Sequence, residues 1–369
     1  MNDPLDTMVL SPTSDWPDPL LTAAGQRICT PDHWPARRQE IIELMLPLAY
    51  GRLAPTPRAT ALVRLHSAVL RRFAGTRLLT CRLEPDAMPA FTLRLFVPPG
   101  AGPFPAIVSG DGCWRYADDA ALAAIVGRGY VLAEFNRVEV APDPGGPADG
   151  LAMAQGKPRT GTLAAWAWAY HRVVDALEGL DWIDPHSIAV VGHSRGGKAA
   201  LLAGATDERI ALTSANNSGA GGAGCFRHQG PGSENLADLL GTFGYWFDPQ
   251  LGSYVGREQE LPFDQHFLKA LVAPRVLLTT EALGDHWANP QGSWQTHRAA
   301  RCVFDLLGVP DNNLIAFREG GHDHTLADWN RLLEVADQVL LGKAALGRAD
   351  ADPFPDLPLP ARWMVAHCG

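Results

Sequence analysis

The sequence predicts an α/β fold, a three-layer sandwich in which helices cover both faces of a mostly parallel central sheet. Three observations predict it. Short continuous apolar runs recur along the chain, helical patterns separate them, and one run passes through a glycine-flanked turn straight into a helix. Uninterrupted apolar runs suit strands buried on both faces, as parallel strands are. Their alternation with helices suits crossover connections that cover both sides of the sheet.

The elements read in order as follows. Residues 34–50 bring apolar side chains round at helical spacing (Ile41, Ile42, Leu44, Leu46) and stop at Gly51. Residues 91–97 alternate apolar and polar like a strand. Buried-strand runs follow at 106–109, 130–135, 188–191, 212–215, 275–279 and 314–317. The strongest helical pattern is 162–180 (Leu163, Trp166, Ala167, Tyr170, Val173, Val174, Leu177), and 198–205, 266–272, 294–307 and 326–341 read as further helices. No linker divides the chain, so residues 1–369 read as one domain. Its first 33 residues, rich in Pro, Asp, Ser and Thr, form a tail laid over it, and the Pro- and Ala-rich 343–369 form a C-terminal extension.

Composition excludes several classes of function. The chain has 369 residues, 46% hydrophobic, with 31 basic against 40 acidic residues and a formal net charge of -9. An acidic surface repels phosphate backbones, so nucleic acid is not an expected partner. The densest basic pair, Arg71-Arg72, reads as a solvated helix face. No apolar run approaches the ~20 residues of a membrane span. Residues 1–24 carry Asp3, Asp6, Asp15 and Asp18 and lack the basic and apolar regions of a secretory signal. On this sequence the protein reads as cytoplasmic, or as secreted or periplasmic if a signal was removed. The six cysteines form no C-x-x-C pair and read as free buried thiols. Nothing in the pattern specifies an oligomeric state.

The chemistry gathers at Gly192-His193-Ser194-Arg195-Gly196. A strand-like run, 188–191, precedes it and a helical one, 197–202, follows, which is the setting of a nucleophile elbow in an α/β-hydrolase. The serine of such an elbow sits in a strained turn, and its neighbours at minus two and plus two have no room for side chains. The helix that begins there aims N–H groups at developing negative charge, and the N–H of Arg195 is the expected first oxyanion donor. Ser194 is therefore the candidate nucleophile of a serine esterase. A phosphate-binding loop does not fit, because Gly192 to Lys198 lacks the required spacing.

A serine hydroxyl needs a base, and in this fold the chain order is serine, acid, histidine. The last strand-like run ends in Gly320-Gly321-His322-Asp323-His324, which makes His322 the candidate base and His324 its rival. Residues 281–287 follow the preceding run. There Asp285 is the best acid to hold the histidine tautomer, with Glu281 second. The His-x-His pair also admits a metal, but the pattern H-x-H-x-D-H needs an acid and a histidine where Leu326 and Ala327 stand. No metal and no cofactor is expected.

At these residues the chain resembles the glucuronoyl esterases, carbohydrate esterase family 15. Gly192 to Lys198 is similar to the family's G-C-S-R-x-G-K elbow, with His193 for cysteine, and residues 218–223 match its S-G-A-G-G-A stretch. Asp285-His286-Trp287-Ala288-Asn289-Pro290 resembles the D-x-W-A-x-P loop of bacterial members, and 320–324 resembles G-G-H-x-H. Phe135-Asn136-Arg137, Ala141-Pro142-Asp143 and 161–178 add support, so that the resemblance spans about 34–345. It implies hydrolysis of the ester between 4-O-methyl-glucuronic acid on xylan and an alcohol of lignin. It further implies oxyanion binding by the Arg195 side chain and substrate contacts from Lys198, Trp287 and Glu234. Loop packing for Trp287, a solvated lysine for Lys198, a surface carboxylate for Glu234 and an acid-paired Arg195 are the structural alternatives.

Two departures stand out. Fungal members place the acid just before S-G-A-G-G, where this chain has Asn217. A neutral amide cannot compensate an imidazolium, so the expected acid moves to Asp285, as in some bacterial members. The fungal disulfide between elbow and histidine loop is also missing, with His193 and Thr325 at its two ends, which suits a reducing compartment or a bacterial lineage. The expected substrate is a uronic-acid ester derived from glucuronoxylan. An acetyl or other small-ester esterase on the same fold is the alternative, and a non-catalytic glycan-binding homologue is the third reading, motivated by Asn217.

Overall fold

The computed structural model describes residues 16–114, 116–143, 161–344, 352–358 and 361–365. A nine-stranded sheet runs through it in the order β1-β2-β3-β5-β4-β6-β7-β8-β9. Strands β4 (Phe104–Ser109), β5 (Val131–Phe135), β6 (Ile183–His193), β7 (Leu212–Asn216), β8 (Val276–Ala282) and β9 (Asn313–Arg318) pair in parallel. Strands β1 (Thr60–Leu70), β2 (Thr76–Pro85) and β3 (Phe91–Val97) add an antiparallel flank, β3 pairing with β5. Every residue of β5, β7 and β8 is buried, which explains why these strands show no alternation of apolar and polar faces, although buried polar residues such as Glu134, Asn216 and Glu281 stand near their C-terminal ends.

Helices cover both faces. One face packs α1 (Trp34–Met45), α3 (Thr162–Glu178), α4 (Arg195–Thr206), α6 (Gln265–Ala270) and α7 (Pro290–Leu306). The other packs α2 (Asp119–Gly127) and α8 (Leu326–Leu341). The short α5 (Leu236–Phe243) lies over the strand ends that carry the site. Helix α3 is apolar almost all round because it is the middle of the molecule: Trp166, Trp168 and Tyr170 are fully buried, and the Trp166 indole donates to the Ala141 carbonyl at 3.0 Å. Helix α8 starts on a capping box between Thr325 and Asp328 and ends at Gly342 in the left-handed region.

Several expectations are corrected. Strands β1 and β2 escape a pattern search, since β1 is an edge strand that is exposed along most of its length. Arg71 and Arg72 stand not on a helix face but in the 3-10 turn Arg71–Phe73 that joins β1 to β2. The cysteines are not all free. Cys29 is disulfide-bonded, whereas Cys81, Cys113, Cys225 and Cys302 are free thiols. Residues 1–15 of the expected tail lie outside the described residues. From Trp16 the chain packs against Cys225, Ala299 and Ala361, and the Trp363 indole donates to the Trp16 carbonyl at 2.6 Å, so the tail meets the C-terminal extension. No described helix is long and apolar enough to cross a membrane.

Candidate active site

The elbow is built by exclusion of side chains. Ser194 joins β6 to α4 at φ 55° and ψ −124°, a conformation costly for a non-glycine residue. A Cβ on Gly192 would lie 2.2 Å from the Gly196 carbonyl oxygen, and one on Gly196 would lie 2.0 Å from Oδ1 of Asp111. Asp111, just after β4, braces the turn by accepting the His193 N–H at 2.7 Å, and is itself ion-paired with the fully buried Arg137. The Ser194 N–H bonds the Asn216 carbonyl at the end of β7. Arg195 opens α4, so its own N–H has no intrahelical acceptor.

The structure brings Ser194, His322 and Asp285 into one hydrogen-bonded chain. His322 Nε2 lies 2.9 Å from Ser194 Oγ, and His322 Nδ1 lies 2.5 Å from Asp285 Oδ2. Asp285 follows β8, is 4% exposed, and accepts the Ala288 N–H with its other oxygen at 3.3 Å. Glu281 does not join them. It is fully buried beside Lys269, where burial pushes its carboxyl up to about 8 and pulls the Lys269 ammonium down to about 7. His324 does not reach Ser194 either. Its ring stacks on Trp329 at 4.6 Å and on His193 at 5.7 Å, and desolvation holds it well below the usual imidazole range.

Asn217 is more than a turn residue. At φ 42° it directs its side-chain oxygen to the Ala282 N–H (2.7 Å) and its amide to the Asp323 carbonyl (3.1 Å). It thereby ties the loop of Asp285 to the loop of His322. Arg318, at the end of β9, holds the same histidine loop by donating to the carbonyls of Glu319, Gly321 and Asp323 while pairing with Asp328. Neither role was visible in the sequence, because both depend on contacts between separate loops.

A pocket opens beside the serine, lined by residues that include Arg195, Lys198, Glu234, Phe243, Trp246 and Trp287. Lys198, one turn into α4, is buried. It donates to the Ala220 carbonyl at 2.5 Å and lies 3.3 Å from Glu234. Burial lowers its pKa and the nearby Glu234 charge opposes that shift. Glu234 is 2% exposed, which rules out the surface-carboxylate reading. Trp287, by contrast, is half exposed at the pocket rim.

Arg195 is both caged and paired. One guanidinium nitrogen bonds Asp143 at 2.9 Å, and its Cζ lies 4.9 Å and 5.1 Å from the centroids of Trp246 and Phe243, two rings that stack on each other at 4.0 Å. Burial raises the Asp143 pKa, but hydrogen bonds from Tyr245, Arg195 and Trp246 outweigh it and leave the carboxyl below its usual range. The guanidinium has five donors, so others stay available to the pocket. Among the described residues no group of three or more His, Cys, Asp or Glu side chains is arranged to hold a metal ion.

Comparison with known proteins gives the family and the fold. A family model described as "Glucuronyl esterase, fungi" matches residues 84–308. The chain is 33% identical over 320 residues to a 4-O-methyl-glucuronoyl methylesterase of Podospora anserina, covering 83% of this chain and 63% of that one. It is 36% identical over 242 residues to carbohydrate esterase MZ0003 of an unknown prokaryotic organism, covering 59% of this chain and 56% of that one. The chain thus spans about six tenths of the length of these curated relatives. Among solved structures, a carbohydrate esterase family 15 glucuronoyl esterase from Caldicellulosiruptor kristjansonii superposes with a TM-score of 0.76 at 30% identity, covering 92% of this chain and 96% of that one. A mutant glucuronoyl esterase from Sporotrichum thermophile, in complex with methyl 4-O-methyl-beta-D-glucopyranuronate, superposes with a TM-score of 0.74 at 27% identity, covering 90% and 89%.

Proposed function

The chain belongs to the glucuronoyl esterases of carbohydrate esterase family 15, and from that premise we propose that it is a serine carboxylic-ester hydrolase that cleaves glucuronoyl esters through an acyl-enzyme. The observation that carries the reading is the hydrogen-bonded chain Ser194–His322–Asp285 beside the buried Lys198–Glu234 pair. A charged pair beside an esterase serine suits a hydroxylated, acid-derived sugar better than a bare acetyl group.

The chemistry follows from the geometry. His322 Nε2 takes the Ser194 proton as Oγ attacks the ester carbonyl carbon. The negative charge that develops on the carbonyl oxygen is met by the Arg195 N–H and by a guanidinium donor not used by Asp143. His322 returns the proton to the departing alcohol. Water then attacks the glucuronoyl-enzyme with His322 again as base, which frees the uronic acid and restores Ser194. Asp285 keeps Nδ1 protonated and stabilises the imidazolium. Lys198 and Glu234 hydrogen-bond the sugar, and Trp287 lies against its ring.

The test compares benzyl glucuronate with p-nitrophenyl acetate. The expected result is a far higher kcat/KM on the glucuronate, abolished in Ser194→Ala. Equal or reversed preference overturns the substrate class, and unchanged activity in Ser194→Ala overturns catalysis at this elbow.

A further inference from the structure

One motif of the sequence takes no part in the chemistry above. Phe135-Asn136-Arg137 closes β5 and opens the 3-10 turn Arg137–Glu139. Arg137 is fully buried and does not line the pocket beside the serine. A buried guanidinium destabilises a fold unless it is paired and its remaining surface is covered. Here the pairing leads to the nucleophile. Arg137 is ion-paired with Oδ1 of Asp111, and Oδ2 of the same carboxylate accepts the His193 N–H at 2.7 Å, one residue before Ser194. Asp111 is 1% exposed, so this hydrogen bond is charge-assisted and shielded from water. It acts on a turn that holds Ser194 at φ 55°, which a non-glycine residue does not adopt without support.

The cover leads to the oxyanion donor. Cζ of Arg137 lies 4.9 Å from the centroid of the Trp166 ring on α3. The Trp166 ring lies 6.4 Å from the Trp246 ring, and the Trp246 ring lies 4.9 Å from Cζ of Arg195. The two indoles are within the range of tilted aromatic contact. Two arginines, each ion-paired to its own aspartate, therefore stand at the two ends of one tryptophan pair. Helix α3 ties the same parts together again. One turn after Trp166, the Tyr170 hydroxyl accepts the Gly110 N–H at 2.8 Å and donates to the Val191 carbonyl at 2.9 Å, which joins the Asp111 loop to the strand below the elbow. Where α3 begins, a Cβ on Gly161 would lie 2.4 Å from the Trp246 carbonyl oxygen, so the start of the helix and Trp246 meet backbone to backbone.

We propose that Arg137 is a positioning residue for the reaction, which sets the Ser194 elbow through Asp111 and sets the Arg195 guanidinium through Trp166 and Trp246. Nucleophile and oxyanion donor are then held against one buried group, and their separation is fixed by the fold before substrate arrives. The inference rests on the acyl-enzyme reading, in which Ser194 and Arg195 act on the same carbonyl group. The sugar contacts are held elsewhere. Lys198 lies 5.8 Å from the Trp246 ring, but the Ala220 carbonyl and Glu234 fix its ammonium independently of Arg137.

The experiment compares Arg137→Lys, Trp166→Leu and Trp166→Phe with wild type. It measures kcat and KM on benzyl glucuronate, the affinity for free glucuronate, and the rate at which a small alkyl fluorophosphonate phosphonylates Ser194 with loss of fluoride. Phosphonylation uses the nucleophile and the oxyanion donor and needs no sugar contact. In Arg137→Lys the ammonium keeps the charge but has no planar fork to meet Asp111 and Trp166 together. Trp166→Leu cuts the link and leaves both ion pairs, and Trp166→Phe restores a ring. In Arg137→Lys and Trp166→Leu, kcat and the phosphonylation rate should fall together by about tenfold or more. KM and the glucuronate affinity should stay within about twofold of wild type, and Trp166→Phe should recover most of the rate. Wild-type phosphonylation in Trp166→Leu, equal losses in Trp166→Leu and Trp166→Phe, or a loss confined to KM overturns the proposal. The two Trp166 variants decide it if Arg137→Lys does not fold. A wild type that is phosphonylated but does not hydrolyse benzyl glucuronate overturns the uronate reading instead, and the phosphonylation rates still test Arg137.

Discussion

The rings of His193 and His324 stack with centroids 5.7 Å apart and planes 18° from parallel. His193 directly precedes the elbow serine, and its ring also lies 4.7 Å from the His322 ring, tilted by 48°. His324 is backed by Trp329 of α8 at 4.6 Å. The pile His322–His193–His324–Trp329 therefore couples the elbow to the histidine loop by ring packing, near the place where fungal relatives are expected to carry a covalent staple. Thr325, the other expected end of that staple, is occupied in capping α8.

If packing is what matters at His324, His324→Phe keeps activity and His324→Ala loses it through misplacement of His322. We expect kcat on benzyl glucuronate to fall about tenfold or more in the alanine variant, with KM little changed, and to stay near wild type in the phenylalanine variant. Inactivation of His324→Phe to the level of His322→Ala would instead make His324 the base.

Asn217 should resist replacement by the acid that fungal relatives carry there. Its amide donates to the Asp323 carbonyl and its oxygen accepts from Ala282. A carboxylate keeps the second bond but faces the Asp323 carbonyl with a second acceptor. Asn217→Asp and Asn217→Ala should each cost about 1–3 kcal/mol by urea unfolding. Both should lower kcat, because the loops of Asp285 and His322 lose their shared tie. A gain in activity for Asn217→Asp would show that the position still accepts the acid's role.

The legible parts of this molecule were those that a residue type enforces locally. Gly192, Ser194 and Gly196 are readable because their turn excludes side chains, and the parallel strands are readable because burial on both faces gives most of them short apolar runs in place of alternation. His322 and Asp285 followed from chain order. The β1–β2 hairpin was not legible, since an exposed edge strand has no uniform apolar face, and its Arg71-Arg72 turn imitated a solvated helix. Arg195 shows a different limit: the sequence sets it directly after the elbow serine, but its partner Asp143 lies 52 residues earlier in the chain, and only the folded structure says which acid it meets.

Asp143 is expected to act through Arg195. Its carboxyl also accepts from Tyr245 at 2.6 Å and so fixes the guanidinium against the Phe243–Trp246 stack. Asp143→Asn keeps much of the shape and removes the charge that orients the fork. kcat should fall about tenfold or more with a smaller change in KM, since an oxyanion donor matters most in the transition state. Arg195→Lys should not rescue the rate, because an ammonium cannot bond Asp143 and the oxyanion in one planar geometry. A pure KM effect in Asp143→Asn would assign the pair to substrate binding.

Stability should fall with mild acid, and His266 supplies a measurable share. It is fully buried, accepts no solvent, and desolvation lowers its pKa to about 3, while Nε2 lies 2.8 Å from the Pro17 carbonyl. In the unfolded chain the same imidazole titrates near 6.5. Below that pH the unfolded state binds a proton that the native state refuses, so stability is lost as pH falls from about 6.5 toward 3. By pH 5 this amounts to about 2 kcal/mol. Glu281, with its raised pKa, works in the opposite sense over part of the same range, so the wild-type slope alone does not isolate the histidine. The comparison with His266→Gln does, because glutamine keeps a donor for Pro17 and has no titration. Urea unfolding of both proteins at pH 7 and pH 5 should give the variant a smaller loss by about 2 kcal/mol. Parallel losses in the two proteins would mean that His266 is already protonated, or already solvated, in the native state.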